Sequence, residues 1–347
     1  MILGLAACSH SEPFTAPDTD TDAPFAEAEP ARLTYADGAE TEPTWLPDGS
    51  AFVYSFDRLG TSEGDRCLTT MPATGGTIER EFCNATAQDE FLADVYATPS
   101  VLGDSTLAFL YTAAVGQGVP ATKGLYVAPY QDPDAKRALR SLPFTGPNGT
   151  LYASVASVTW LSPDRIGFIG ITETTVLPCP TCDAVVVAYG SHLLVIAPSD
   201  PSAIVLVPGV AFPTSITAGE TDDIIYYTLA ADTRIYRRIL STGATSTIYD
   251  FATDGIVRDL HYSAGRIAAI VGGQVSVLND PVGPLQQSGP GRLFVVTIAT
   301  ETAQPVAGSP FTALYQNPAI SPDGSAIVAE GYGPASPGGN LWLFRSQ

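Results

Sequence analysis

PTWLPDGSAFVY, at positions 43–54, contains the pattern from which the architecture follows. Positions 318–328 repeat it as PAISPDGSAIV, and two such copies in one chain are unlikely to arise by chance. A degenerate third copy, VTWLSPDRIGF, occupies positions 158–168, and weaker copies begin at Pro99, Pro213 and Arg258. The chain is therefore built from internal repeats.

Each copy has the same physical plan, which is a short apolar strand, a tight turn and a second strand. In the turn, Pro fixes φ, Asp bonds to the local backbone and Gly accepts positive φ. The second strands are almost continuously apolar, which predicts burial on both faces between stacked sheets. They read AFVYSF, TLAFLY, RIGFIGI, DIIYYTL, RIAAIVGG and SAIVAEGY.

A third strand follows each second strand, and a more polar fourth strand follows the first five. The sequence ends at Gln347, directly after the sixth third strand, whereas the run Arg32–Tyr35 precedes the first repeat and can supply the missing strand. Pairing the two ends removes exposed sheet edges. The predicted fold is all-β: a six-bladed β-propeller of four-stranded antiparallel blades over residues 31–347, closed by an N-terminal strand. The repeats are anchored on Trp45, Val101, Trp160, Ile216, Leu260 and Ile320.

The Pro-x-Trp-x-Pro-Asp-Gly pattern with this strand order resembles the propeller repeats of the TolB-type, or PD40 (WD40-like), family. The resemblance covers nearly all of the chain from Arg32 to Gln347. It implies architecture and almost no activity, because this fold serves binding proteins, peptidase gates and enzymes alike. TolB has a further α/β domain before its propeller, so its partner contacts are not transferred.

The first eight residues, MILGLAAC, contain Leu5-Ala6-Ala7-Cys8, which resembles the bacterial lipobox. We expect residues 1–8 to be a signal peptide remnant with lipidation at Cys8. The alternative is an ordinary buried cysteine, since no Lys or Arg precedes the short apolar run. Residues 9–30 are acidic and proline-rich without apolar periodicity, which predicts a disordered tether. The expected location is the periplasm or cell surface of a bacterium, on the outer membrane or another envelope membrane.

The chain carries 16 Lys and Arg against 36 Asp and Glu, a formal charge of −20. This charge repels phosphate backbones and anionic head groups, so nucleic acid is excluded as a partner and membrane contact is expected only through the lipid anchor. An acidic surface also keeps an exported protein soluble.

Five cysteines are an odd number for an exported chain, and lipidation of Cys8 would leave two pairs. Cys67 and Cys83 bracket two strand-like runs joined by Ala-Thr-Gly-Gly, which predicts a cross-strand disulfide. Cys179 and Cys182 form a CPTC motif. We expect a disulfide that staples a loop, with a redox dithiol or half of a zinc site as alternatives.

No catalytic or cofactor motif occurs, so we expect no cofactor, no metal and no catalytic residues. His261, in a first strand, is a candidate channel-lining residue, for which packing is the better interpretation. The three tryptophans are expected to pack between blades. The leading hypothesis is a non-enzymatic, monomeric module that binds or scaffolds an envelope protein or a small ligand. The alternative is a propeller hydrolase or lactonase with a metal at the channel mouth, which would require three or more acidic or amide side chains converging on the axis.

Overall fold

The computed structural model describes residues 30–34, 39–57, 66–76, 78–82, 95–103, 106–113, 122–176, 185–272, 274–276, 286–288, 291–309, 314–333 and 336–345. Within these ranges the chain is nearly all β, with one short 3₁₀ helix at Pro147–Gly149. In the same ranges, no helix is long and apolar enough to cross a membrane.

The strands of the N-terminal half are β1 (Ala31–Arg32), β2 (Ala39–Trp45), β3 (Ala51–Asp57), β4 (Arg66–Pro72), β5 (Arg80–Phe82), β6 (Val95–Val101), β7 (Thr106–Thr112), β8 (Lys123–Pro129), β9 (Arg137–Leu142), β10 (Phe144–Thr145), β11 (Leu151–Tyr152), β12 (Ser154–Ser162), β13 (Arg165–Val176) and β14 (Val185–Ala197).

The strands of the C-terminal half are β15 (Asp200–Ala211), β16 (Pro213–Ala218), β17 (Ile224–Leu229), β18 (Arg234–Ile239), β19 (Thr245–Asp250), β20 (Val257–Ser263), β21 (Arg266–Val271), β22 (Gln274–Ser276), β23 (Gln286–Ser288), β24 (Arg292–Thr297), β25 (Thr302–Pro305), β26 (Leu314–Ile320), β27 (Ala326–Gly333) and β28 (Ser336–Arg345).

Four of the sheets are four-stranded and antiparallel, with the orders β12-β13-β14-β15, β16-β17-β18-β19, β20-β21-β24-β25 and β1-β28-β27-β26. An eight-stranded sheet combines β2 to β5 with β6 to β9, because one parallel bridge joins Arg66 to Val95. The repeated strand plan predicted from the sequence is therefore present. The hairpins β10-β11 and β22-β23 are additions that the repeat did not predict.

The two ends of the described chain meet in one sheet. β1 pairs with β28 in antiparallel fashion, with Ala31 opposite Leu343 and Arg32 opposite Trp342. Leu33 continues the contact by donating its N–H to the Leu341 carbonyl at 2.8 Å. The paired strand is thus displaced by one residue from the predicted run, whose last member, Tyr35, lies outside the described residues.

The hydrophobic core consists of apolar layers between successive sheets. Phe168 and Leu194 pack against the β7-β8-β9 unit, and each following sheet packs on the one before it. One further layer joins the last sheet to the first, through Val328 and Leu341 on one side and Trp45 and Phe52 on the other. The second strands are buried along nearly their whole length, as their continuous apolar sequences predicted.

The Pro-Asp-Gly turns form as the sequence predicted. Asp48 Oδ1 accepts the Ser50 N–H at 3.0 Å, and Asp323 Oδ1 accepts the Ser325 N–H at the same distance. Gly49 and Gly324 have φ of 71° and 74°, values that L side chains rarely adopt. The turn aspartates are therefore explained by local backbone bonding.

Candidate ligand-binding site

The first strands of the sheets carry a bulge at one shared position of the repeat. The pairing register shifts between Thr41 and Thr44, and the same irregularity recurs in the other first strands β6, β12, β16, β20 and β26. A bulge kinks its strand and redirects a side chain, and bulges are frequent beside functional sites. The first strands also contact one another in succession, from β2 through β6, β12, β16, β20 and β26, and β26 contacts β2 again.

Four of these bulges hold a non-glycine residue in the left-handed region. The residues are Glu42 (φ 56°), Thr98 (φ 47°), Ser157 (φ 50°) and Asn317 (φ 45°), each three positions before its repeat anchor. Each such residue costs on the order of 1 kcal/mol or more and persists only where its surroundings fix it. The repeated strain marks this position as one that the fold maintains in several sheets.

Carboxylates on neighbouring strands fix three of these bulges. Glu42 Oε2 accepts the Thr98 N–H at 2.6 Å, and Asp259 Oδ2 accepts the Asn317 N–H at 3.4 Å. Glu330 accepts the Glu42 N–H and, through Oε2, the Asn317 amide at 2.9 Å. We call Glu42, Asp259, Asn317 and Glu330 the first-strand cluster. It links β20, β26 and β2 to β6.

The electrostatics of this cluster favour neutral acids. Burial raises the pKa of Glu330 to about 8, and the nearby Glu42 and Asp259 raise it further against the bond from Asn317. Burial also raises the pKa of Asp259, although Arg258 and the Asn317 N–H oppose the shift. Glu330 therefore keeps its proton at neutral pH, and the cluster holds less negative charge than its composition indicates.

Elsewhere along the first strands, three serine hydroxyls and one imidazole also accept backbone N–H groups of the next first strand. Ser100 Oγ accepts the Trp160 N–H at 3.2 Å, Ser157 Oγ accepts the Ile216 N–H at 3.1 Å and Ser215 Oγ accepts the Leu260 N–H at 3.1 Å. His261 Nδ1 accepts the Ile320 N–H at 3.2 Å, and burial lowers the pKa of His261 to about 4. His261 is therefore a neutral imidazole that joins two first strands, while its place on an open channel stays a prediction.

The tryptophans lie in the layers between sheets. Trp45 is 7% exposed, packs edge-on against Phe52 and donates its indole N–H to the Ala319 carbonyl at 2.8 Å. Trp160 is equally buried, in the layer between the β7-β8-β9 unit and the sheet that contains β12. Trp342 packs against the layer between the sheet that contains β20 and the last sheet. These positions agree with the expected packing role.

Of the five cysteines, only Cys67 lies within the described residues. Cys67 is buried on β4, and the hairpin that β4 forms with β5 is present. Cys8, Cys83, Cys179 and Cys182 lie outside the described residues, so lipidation and both disulfides stay predictions. Among the residues the structure describes, no group of three or more His, Cys, Asp or Glu could hold a metal ion.

Sequence reasoning missed the first-strand cluster, although a signal for it exists. Three of the strained residues directly precede the proline that opens a repeat, in Glu42-Pro43, Thr98-Pro99 and Asn317-Pro318. Proline restricts the conformation of the residue before it, so a recurring polar residue at this position is a candidate for a special backbone role.

No protein-family model matches this chain, and no curated protein does. Solved structures match it over nearly its whole length at low identity. A gluconolactonase from Xanthomonas campestris is 13% identical, with 93% of this chain and 98% of that one covered and a TM-score of 0.52. A putative TolB from Agrobacterium tumefaciens is 13% identical, with 89% and 91% covered and a TM-score of 0.51. The calcium-binding protein regucalcin from A. tumefaciens is also 13% identical, with 92% and 96% covered and a TM-score of 0.52.

Likeness at this level establishes the fold and nothing more. The chain is a β-propeller in which four sheets are four-stranded and antiparallel, similar in architecture to both enzymes and TolB-like proteins.

Proposed function

We propose that the sheets form a closed ring of six blades and that β1 completes the last blade. In this arrangement the eight-stranded sheet is two blades joined by a single bridge. The successive contacts of the first strands, which return from β26 to β2, support the ring. The apolar layer between the last and first sheets and the pairing of β1 with β28 support its closure. In such a ring the bulged first strands surround the axis.

We propose that this propeller is a non-enzymatic binding or scaffolding lipoprotein of the bacterial envelope, which binds a protein or small ligand at the axial end formed by its bulged strands. The observation that carries the proposal is the recurrence of a strained, polar bulge residue in four first strands, at Glu42, Thr98, Ser157 and Asn317. Backbone strain costs free energy, and maintaining it in several blades fits a shared binding surface.

The alternative is a hydrolase or lactonase with a metal at the channel mouth. In its favour, three acids and one amide gather in the first-strand cluster, and two proteins of similar fold are described as a gluconolactonase and a calcium-binding protein. Against it, the cluster oxygens already accept donors from Thr98, Asn317 and Glu42, and Glu330 keeps a proton. These residues fit a role in bridging strands better than the chelation of a metal ion.

Two variants test the binding proposal. Ser157→Arg places a long cation at the bulge, and Thr247→Arg adds the same charge at an exposed site on the outer strand β19. Pull-down from the native envelope should recover a bound component with the wild type and Thr247→Arg and not with Ser157→Arg, provided that all three have similar melting temperatures. Equal recovery with Ser157→Arg would place the binding site elsewhere.

Two further measurements test the remaining parts. Cys8→Ser should release the protein from the membrane fraction, and unchanged membrane association would exclude the lipid anchor. Metal analysis of the purified protein separates the two functions, since one equivalent of tightly bound metal would favour the hydrolase.

A further inference from the structure

The contact between the last sheet and the first contains two almost completely buried acids. Glu40 on β2 and Glu330 on β27 are each 1% exposed, and both lie beside the apolar layer that Val328 and Leu341 form with Trp45. Buried carboxyls are normally paired with a cation or fully hydrogen-bonded. We call this contact, with its flanking strand β1, the seam.

The groups that face Glu40 do not fully satisfy it. The Thr34 side chain bonds to Glu40, whereas the buried Oε2 atom has no hydrogen-bond partner in the part of the chain that the structure describes. Arg32 on β1 attracts Glu40, but its guanidinium also donates to neutral oxygens, from Nε to the Thr34 carbonyl at 2.7 Å and from Nη2 to Asn340 Oδ1 at 2.6 Å. The Tyr54 phenol of β3 faces Glu40 without carrying charge.

Glu330 faces the remaining acids of the region. It accepts hydrogen bonds from Asn317 on β26 and from the Glu42 backbone, while Glu42, Asp259 on β20 and Glu40 are acidic neighbours whose ionised forms disfavour an ionised Glu330. Burial raises the pKa of both Glu40 and Glu330 to about 8, and their mutual repulsion adds to the shift of Glu40. The closed seam therefore holds these acids in their neutral form.

We propose that the seam is a proton-dependent latch: protonated Glu40 and Glu330 keep the two chain ends joined, and loss of their protons loosens β1, β28 and β2 before the other sheets open. A carboxyl exposed by opening regains an ordinary pKa near 4.5, so the closed seam binds more protons than the open one. Below pH 4.5 the carboxyls are protonated in both states, so the closed seam has its full stability. The closed seam loses this stability as the pH rises through about 8. The latch consists of contacts between the chain ends and requires no ligand.

Hydrogen exchange of the full chain, followed by mass spectrometry at about pH 6 and about pH 8.5 and corrected for the intrinsic rate, tests the latch. Peptides from β28 and β2 should lose protection about tenfold or more between the two conditions, as expected for one carboxyl whose pKa returns to normal on opening. Peptides from β17, in a sheet that does not contain the seam, should change little.

The double variant Glu40→Gln/Glu330→Gln keeps the shape of both side chains and removes their titration, so the pH dependence of β28 and β2 should disappear. Glu173→Gln, at an exposed position on β13, should keep it. An equal loss of protection in β17, or a pH dependence that persists in the double variant, would overturn the proposal. If the double variant does not fold, Glu330→Gln alone should reduce the pH dependence, and an unchanged dependence would count equally against the latch.

Discussion

Trp45→Phe measures how much the contact between the two chain ends contributes to stability. The indole N–H of Trp45 on β2 donates to the Ala319 carbonyl on β26 at 2.8 Å, across 274 positions of sequence. Phenylalanine retains an aromatic ring in the layer but has no donor. A neutral hydrogen bond of this kind contributes about 1 kcal/mol, and a buried carbonyl that loses its partner costs about 1–3 kcal/mol.

The matched control is Trp160→Phe. Trp160 occupies the equivalent position of the third repeat and is also 7% exposed, but its buried indole nitrogen has no hydrogen-bond partner among the described residues. Both substitutions remove the same volume, so the cavity contributions largely cancel in the comparison. Trp160→Phe also removes a buried donor that is unsatisfied. Trp45→Phe should therefore be more destabilising than Trp160→Phe by about 1–3 kcal/mol.

Urea unfolding of the two variants, followed by tryptophan fluorescence and circular dichroism, gives the difference from the midpoints at equal slope. Equal midpoints, or a lower midpoint for Trp160→Phe, would refute the bond between Trp45 and Ala319 and with it a main contact between the chain ends.

Two further predictions concern the sheets and the turns. Gly170→Ala should lower the free energy of unfolding by about 1–3 kcal/mol, because an added Cβ would lie 2.5 Å from Leu194 and 2.6 Å from Tyr152. At Gly103 an added Cβ would meet no described atom within 4 Å, so Gly103→Ala should be neutral or slightly stabilising when both variants are compared by thermal unfolding. Asp323→Ala should cost about 1 kcal/mol at neutral pH, since Asp323 accepts bonds from Ser321 and Ser325. These bonds hold the pKa of Asp323 at about 2, below its ordinary 3.8. The stability difference between the wild type and the variant should therefore be complete above pH 3.8 and shrink as the pH falls through about 2. A difference in urea midpoints that stays constant over this pH range would contradict this.

The repeat and its turns could be predicted from sequence because their causes are local. Pro-Asp-Gly at positions 47–49 and 322–324 sets the turn through φ restriction, side-chain bonding and positive φ, all within a few residues. The second strands were predictable because a short, continuous apolar run bounded by turn residues indicates a strand that is buried on both faces. β13 and β14 extend several residues beyond the predicted runs, to Val176 and back to Val185, since their mutual pairing continues past the repeat.

The first-strand cluster could not be predicted because it depends on contacts between sheets. Glu42 meets Thr98 across 56 positions, and Asp259 meets Asn317 across 58. A single glutamate or asparagine before a proline is consistent with a loop, a turn or a solvated edge. Contacts between successive first strands bring the Glu42 and Asp259 carboxylates to the bulge of the next first strand.

The two acids of the seam follow from the same geometry. The proposed closure needs a contact specific to the two ends, because the apolar layers between the sheets resemble one another. Glu40 and Glu330 are acids beside the apolar layer between the last sheet and the first, and their donors, Thr34 and Asn317, lie on or beside strands near the two ends. An alternative pairing would leave both acids buried without these donors, at a cost of several kcal/mol. The buried acids would therefore weaken the proposed seam at high pH and make its pairing depend on the donors Thr34 and Asn317.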